Sequence, residues 1–160
     1  MTKGITNVVL AGLGGQGIIT ASDILSDAAF RAGYDVKKSE LRGLSQRRGV
    51  VVSDVRFGTK VLSPMVPSGE ADYLLVLEES LLSTTRKCVM KEGLILTARF
   101  VSAAMKVPER AMNLALLGVL STYLAIPERI WITAIKANLP PHLHETNKTT
   151  FLTARKTKRI

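Results

Sequence analysis

The stretch NVVLAGLGGQGIITASDIL, residues 7–25, decides how the rest of the chain is read. Its first half is apolar at successive positions, as a strand buried on both faces requires. Its second half runs on with apolar residues at Ile18, Ile19, Ile24, Leu25, Ala28, Ala29 and Ala32. That is helical spacing, and Gly33 stands where a C-cap belongs. Between strand and helix lie Gly12, Gly14, Gly15 and Gly17, which include a G-x-G-x-x-G pattern. The segment YDVKKSE, residues 34–40, supplies a second, short strand. Strand, helix and strand form a βαβ unit, so the two strands are expected to run parallel.

Glycines at such a turn let the main chain bend sharply and approach a ligand. The helix that follows directs unpaired N–H groups and its positive dipole end at a phosphate. Gln16 adds a side-chain amide. Three readings stay open: a nicotinamide dinucleotide, a coenzyme A, or tight helix–strand packing with no ligand. A nicotinamide site wants an acid roughly 20 residues on, at the end of the second strand, for the ribose hydroxyls. Lys37 and Lys38 stand there instead, and Glu40 serves only if the strand is extended. Basic residues suit an extra phosphate on the ribose, as in NADP or the 3′-phosphate of coenzyme A.

Further along, SELRGLSQRRG (39–49) reads as a polar, basic connection. In VVVSDVRFGTKVLSPMV (50–66), β-branched residues flank Phe57-Gly58-Thr59, which predicts a hairpin there. ADYLLVLEE (71–79) is a buried strand, SLLSTTRKCVMKEG (80–93) a helix ended by Gly93, and LILTARF (94–100) a further strand. PERAMNLALLGVLSTYLA (108–125) is a helix apolar almost all round, buried or at an interface, and hydrophobic surface is expected over residues 111–126. Pro127 opens the helix PERIWITAIKANL, and ETNKTTFLTARK (145–156) is a weaker amphipathic helix. The expected fold is α/β: one domain over residues 1–160, three-layer α/β/α, with a Rossmann-like start, a mixed, mostly parallel sheet and a helical C-terminal end.

Composition narrows the function. Apolar residues are 46% of 160, too many for a disordered chain, and no apolar run approaches the roughly 18 residues of a membrane span. The N-terminus lacks the pattern of a cleaved signal, so a cytoplasmic location is expected. With Cys88 alone, the chain forms no internal disulfide, iron–sulfur cluster or thiolate zinc site. The balance of 22 basic against 13 acidic residues, a net +9, favours anionic partners, but no nucleic-acid motif accompanies it. His142 and His144, at i, i+2 on a proline-broken segment, read as surface residues rather than metal ligands, and Cys88 reads as packing. Asp54 and Arg56 alternate on a strand, suited to a cross-strand pair or a ligand contact. No constellation of catalytic acid, base and nucleophile presents itself.

Several motifs follow one another in order: Gly12 to Gly17, Ser45-Gln46-Arg47-Arg48-Gly49, Val55-Arg56, Ser63-Pro64 and Gly69-Glu70-Ala71-Asp72. Together they resemble the gamma-type domain of the 2-oxoacid:ferredoxin oxidoreductases that act on pyruvate, ketoisovalerate or 2-oxoglutarate. Within that group the chain looks most like the beta subunit of the indolepyruvate branch. The resemblance covers about residues 5–98 and returns at AMNLALLGVLS (111–121), like the family's Asn-containing helix. Arg48 departs from it by replacing a glycine, and Arg42 and Leu44 stand where His and Met are common in the indolepyruvate branch. Between Ile95 and Asn113 the chain is shorter than typical members, as if a loop and part of a strand were absent.

The resemblance implies a subunit, catalytically silent alone, of a complex that converts a 2-oxoacid and coenzyme A to acyl-CoA and carbon dioxide while reducing ferredoxin. Thiamine diphosphate with magnesium, and the iron–sulfur clusters, would lie on partner subunits. Those subunits are the expected partners, with ferredoxin reached through the complex and a homodimer open to the isolated chain. This domain would hold coenzyme A. Gly12, Gly14, Gly15, Gln16 and Gly17, with Lys37 and Lys38, would bear on its phosphates. Ser45, Gln46, Arg47 and Arg48 would face the cleft at the partner, although Arg47 and Arg48 equally suit salt bridges across a subunit interface. The alternative is a self-contained NAD(P)-binding module.

Overall fold

A computed structural model describes residues 4–42 and 49–157. Strand β1, Ile5–Leu13, leads through the glycine turn into helix α1, Ile18–Arg31. Strands β2 (Asp35–Arg42), β3 (Val50–Gly58), β4 (Ala71–Val76) and β5 (Val89–Thr97) complete one five-stranded sheet in the order β2-β3-β1-β4-β5. β1 pairs parallel with β4, and β4 with β5, whereas β3 is antiparallel to both its neighbours. Four strands thus point one way and β3 the other. The α/β class and the mixed sheet are as expected.

The remaining helices are α2 (Leu82–Thr85), α3 (Ala98–Ala104), α4 (Met112–Ser121), α5 (Glu128–Asn138) and α6 (His144–Arg155). Strand alternation divides the core in two. Val8, Leu10, Val51, Val55, Leu75 and Leu96 face the main core under α1, α4, α5 and α6. Val9, Ala71, Leu74 and Val76 face a smaller one with Leu81, Leu82 and Cys88. The sheet therefore lies between a thick helical layer and a thin layer of short helical turns and loop.

Several local expectations are corrected. β1 and β2 run in the same direction but are not neighbours, because β3 inserts between them. β2 extends to Arg42, so Ser39–Arg42 are strand rather than connection. The hairpin at Phe57-Gly58-Thr59 does not form: β3 ends at Gly58, and its antiparallel partners are β1 and β2. The chain after Gly58 is drawn across the sheet instead. The Val61 amide donates to Asp35 at 2.7 Å, the Val66 amide to Asp54 at 2.8 Å, and Arg56 donates to the Ser63 and Met65 carbonyls. Pro64 and Pro67 cannot donate to a ladder in any case.

The helix expected over residues 80–93 shrinks to α2 between two 3₁₀ turns, Glu79–Leu81 and Arg86–Cys88. Its Ser-Thr-Thr run has little helical preference. Gly93 is no C-cap but lies within β5, where the register slips between Ala71 and Tyr73 and a side chain would meet Val89 at 2.4 Å. β5 then stops at Thr97, whose hydroxyl accepts the Phe100 amide at 3.2 Å and caps α3, so Ala98–Phe100 are helix and not strand. The shortened stretch is thus spanned by α3, a non-helical link over residues 105–108 and a 3₁₀ turn, Glu109–Ala111, that leads into α4. All ten residues of α4 are buried within the chain itself, against α6 and α1, so the hydrophobic surface expected there is internal from Ala111 to Ser121.

Candidate functional site: the glycine turn between two clefts

The turn after β1 is built by its own side chains. The Leu13 amide donates to Gln16 Oε1 at 2.7 Å, and the Gln16 amide returns a bond to the Leu13 carbonyl at 3.1 Å. Gln16 Nε2 reaches Glu78, beyond the end of β4, at 3.3 Å. Both ends of the Gln16 amide are therefore occupied in holding the turn. Gly12 sits buried in β1, where a side chain would lie 2.8 Å from Gln16 and 2.9 Å from Ile18. Its role is room for that staple.

Gly15 and Gly17 carry the positive φ values, 89° and 79°. A side chain at Gly15 would meet nothing within 4 Å; one at Gly17 would lie 2.4 Å from Asn113 Nδ2. Asn113, at the start of α4, donates to the Gly17 carbonyl at 3.2 Å. The same carbonyl accepts the first bond of α1, from Ala21 at 3.0 Å. Helix α1 has no capping side chain and no acid in its first turn, so the amides of Ile18, Ile19 and Thr20 point outward without an intrahelical acceptor. Asn113 was legible only as part of the AMNLALLGVLS motif; nothing in the sequence paired it with Gly17.

The turn separates two clefts. One, about 480 Å³, is lined by Gly14, Gly15, Gly17, Thr20, Arg42 and Val50, among others. The Gly14 amide donates across its floor to the Gly49 carbonyl at 2.9 Å. The second, about 500 Å³, lies toward α4 and α6 and includes Arg110, Asn113, His142 and Asn147. Gly15, Gly17 and Thr20 border both.

The two lysines do not converge on the turn. Adjacent strand residues point to opposite faces. Lys38 lies on the α1 side and is bound by Asp23 and, at 2.6 Å, by Glu40. Burial works against its charge, but the two carboxylates outweigh it and hold the ammonium above its ordinary pKa. Glu40 is correspondingly held low by the Lys38 ammonium. Lys37 turns to the other face and pairs with Asp35 at 2.8 Å, which lowers that carboxyl with help from the Val61 amide. Among the described residues the cation that reaches the first cleft is Arg42, 68% exposed, with Glu40 at 3.6 Å. Ser45, Gln46, Arg47 and Arg48 lie outside the described residues.

Other motif residues form scaffold. Arg56 Nε donates to Asn7 Oδ1 at 2.9 Å across the strands, Asn7 Nδ2 to the Glu70 carbonyl at 3.0 Å, and the Asn7 amide to Asp72 at 2.8 Å. Arg56 is thus a cross-strand partner that also ties down the chain between β3 and β4. Beside it, burial raises Asp54, against the opposing pull of the Val66 amide and Arg56. Burial also raises the Cys88 thiol, with Asp54 adding to it. Among the described residues no group of three or more His, Cys, Asp or Glu is placed to hold a metal, and no helix is long and apolar enough to cross a membrane.

A glycine turn, held by Gln16 from within and by Asn113 from α4, thus sits at the end of β1 in a sheet with one reversed strand. The sequence pattern of the pyruvate ferredoxin/flavodoxin oxidoreductase family matches residues 7–109. The chain belongs to that family. Over 91 residues it is 46% identical to the indolepyruvate oxidoreductase subunit IorB of Thermococcus kodakarensis, a match covering 57% of this chain and 45% of that one. The chain thus spans less than half the length of the curated relatives it matches. In fold it resembles the gamma subunit of a keto/oxoacid ferredoxin oxidoreductase from Geobacter sulfurreducens, with a TM-score of 0.78 over 97% of both chains and 20% identity. It also resembles part of the 2-oxoglutarate:ferredoxin oxidoreductase of Magnetococcus marinus, solved with 2-oxoglutarate, coenzyme A and succinyl-CoA bound. There the TM-score is 0.78 over 96% of this chain and 31% of that one, at 18% identity.

Proposed function

We propose that this member of the pyruvate ferredoxin/flavodoxin oxidoreductase family is the gamma-type subunit of a 2-oxoacid:ferredoxin oxidoreductase, and that it holds coenzyme A. The observation that carries the reading is the uncapped start of α1, whose first-turn amides open beside Arg42 on the 480 Å³ cleft. Coenzyme A offers a pyrophosphate and a 3′-phosphate, and such a donor set fits them. The amides of Ile18, Ile19 and Thr20 receive one phosphate group. Arg42 receives another, with Arg47 as the second cation. The cofactor supplies the thiol that takes the acyl group. This chain's part is to bind and orient it. Gln16 and Asn113 keep the turn in shape, so the amides meet the ligand without rearranging.

Bond-making falls to partners. A chain with one cysteine cannot hold a four-cysteine iron–sulfur cluster, and thiamine diphosphate with its magnesium belongs with the same companions. The IorB likeness supports indolepyruvate or a related 2-oxoacid as substrate. An NAD(P)-binding module is the weaker reading, because the acid nearest the end of β2, Glu40, is already held by Lys38 and Arg42.

Calorimetric titration of the assembled complex tests the reading. Coenzyme A is expected to bind, with affinity falling about tenfold for Arg42→Ala and for Arg47→Ala, and less for dephospho-coenzyme A than for the intact ligand in either variant. Binding unaffected by both substitutions would place the carrier elsewhere.

A further inference from the structure

The second cleft, across the glycine turn from the one that Arg42 lines, has no part in the function proposed above. About 500 Å³ in volume, it lies where three helices begin. Thr20 comes from the opening residues of α1, Asn113 and Leu114 from those of α4, and Thr146 and Asn147 from those of α6. The positive ends of three helix dipoles thus meet at one cavity. α1 and α6 have no capping side chain, whereas at α4 Asn113 Oδ1 accepts the Leu114 amide at 2.9 Å.

The side chains carry the same bias. Arg110 and His142 line the cleft and are exposed, and neither has a hydrogen-bond or ion-pair partner among the described residues. Among those residues no carboxylate lines it. Glu109 lines a separate pocket with Gln16, and Glu145 on α6 is exposed outside the lining. A cavity built this way favours an anion, and the guanidinium of Arg110 suits a phosphate.

Asn147 adds an independent demand. It is only 9% exposed and lines the cleft, and its Nδ2 donates to the Leu143 carbonyl at 2.8 Å. Its Oδ1 receives no hydrogen bond among the described residues. A buried acceptor without a donor is costly, and the oxygens of an anion cannot serve it. The ligand must therefore bring an N–H or O–H group as well as its charge. Leu114, Leu139 and Leu143 supply apolar wall. A phosphate, a hydroxyl or amino donor and a flat ring occur together in a mononucleotide, and the volume is that of a small-molecule site. We propose that the second cleft is a mononucleotide site, separate from the cleft assigned to coenzyme A. The phosphate meets Arg110 and His142, a ribose hydroxyl or base amino group donates to Asn147 Oδ1, and the base lies on the leucines. The inference does not rest on coenzyme A binding in the first cleft.

Calorimetric titration of the full chain with AMP tests the proposal. Saturable binding with a Kd of about 1 mM or tighter is expected, weakened about tenfold by Arg110→Ala and further by Arg110→Glu. Both variants alter an exposed side chain, so the melting temperature should hold. Asn147→Asp sets a carboxylate beside the phosphate and should weaken AMP by a similar factor, read alongside its melting temperature. Lys91→Ala removes an exposed cation on β5, outside the cleft, and should leave AMP affinity unchanged. Excess coenzyme A should leave it unchanged too. No saturable binding, or equal binding by wild type and both Arg110 variants, would overturn the proposal. A loss in Lys91→Ala equal to that in Arg110→Ala would reduce the binding to general attraction by a chain of charge +9, and would also overturn it. Displacement of AMP by coenzyme A would merge the two clefts into one coenzyme site, overturning the separate nucleotide site while the coenzyme reading stands.

Discussion

Two glycines two positions apart do different work. Gly15 has positive φ and open space around it, so Gly15→Ala should cost only backbone strain, about 1–2 kcal/mol. Gly17→Ala adds a collision with Asn113 to a similar φ and should cost more, about 2–3 kcal/mol in urea unfolding. Because the collision is with one side chain, Gly17→Ala combined with Asn113→Ala should lose less than the sum of the single losses. Equal effects at both glycines would show that Asn113 does not clamp the turn. Asp54 is a second case. Burial raises its pKa above the value of 3.8, so the fold favours the protonated carboxyl. That contribution is present at acid pH and lost as pH rises through the folded value. Asp54→Asn keeps an acceptor for the Val66 amide and should match or exceed wild-type stability at neutral pH. Its advantage should shrink on acidification, read from urea midpoints at the two pH values.

At the scale of elements, α4 decides how the helical layer closes. It is apolar all round because it is covered all round, by α6, α1 and the sheet. The approach of α6 depends on Gly118, where a side chain would lie 2.4 Å from the Phe151 carbonyl and 2.9 Å from Ala154. Alanine is the better helix former by about 1 kcal/mol. Gly118→Ala should nevertheless destabilise by about 1–3 kcal/mol, since α4 and α6 would have to separate. A raised melting temperature would show the pair to be loosely packed. β2 shows what periodicity reveals and what it hides. The tandem Lys37-Lys38 divides between two faces of the strand, so the two do not converge on one ligand as expected of them. Which face belonged to the glycine turn depended on the insertion of β3, and that put Arg42 beside the cleft.

For the whole molecule, charge and core point to a part of something larger. Among the described residues the main core closes around Trp131 and Phe151, both fully buried. Its excess of nine positive charges favours an anionic counterpart. Ferredoxin reduction dependent on a 2-oxoacid and coenzyme A should therefore appear only when the thiamine-binding subunit is added. Turnover by this chain alone, assayed with either ferredoxin or a nicotinamide acceptor, would contradict the proposed division of labour.

The sequence by itself determined that β1, a glycine turn and α1 follow one another, that the fold is α/β, and which family motifs stand in order. The first two rest on spacing within short segments, where backbone periodicity and glycine conformations leave few choices, and the motifs on short local runs repeated in order along the chain. The sheet order, the loss of the hairpin at Gly58, the Gln16–Glu78 and Asn113–Gly17 contacts and the choice of Arg42 over the lysines were decided only in the tertiary structure. Those contacts join residues 62 and 96 positions apart. No local pattern encodes such pairings, because the energy that selects them comes from burying both partners together.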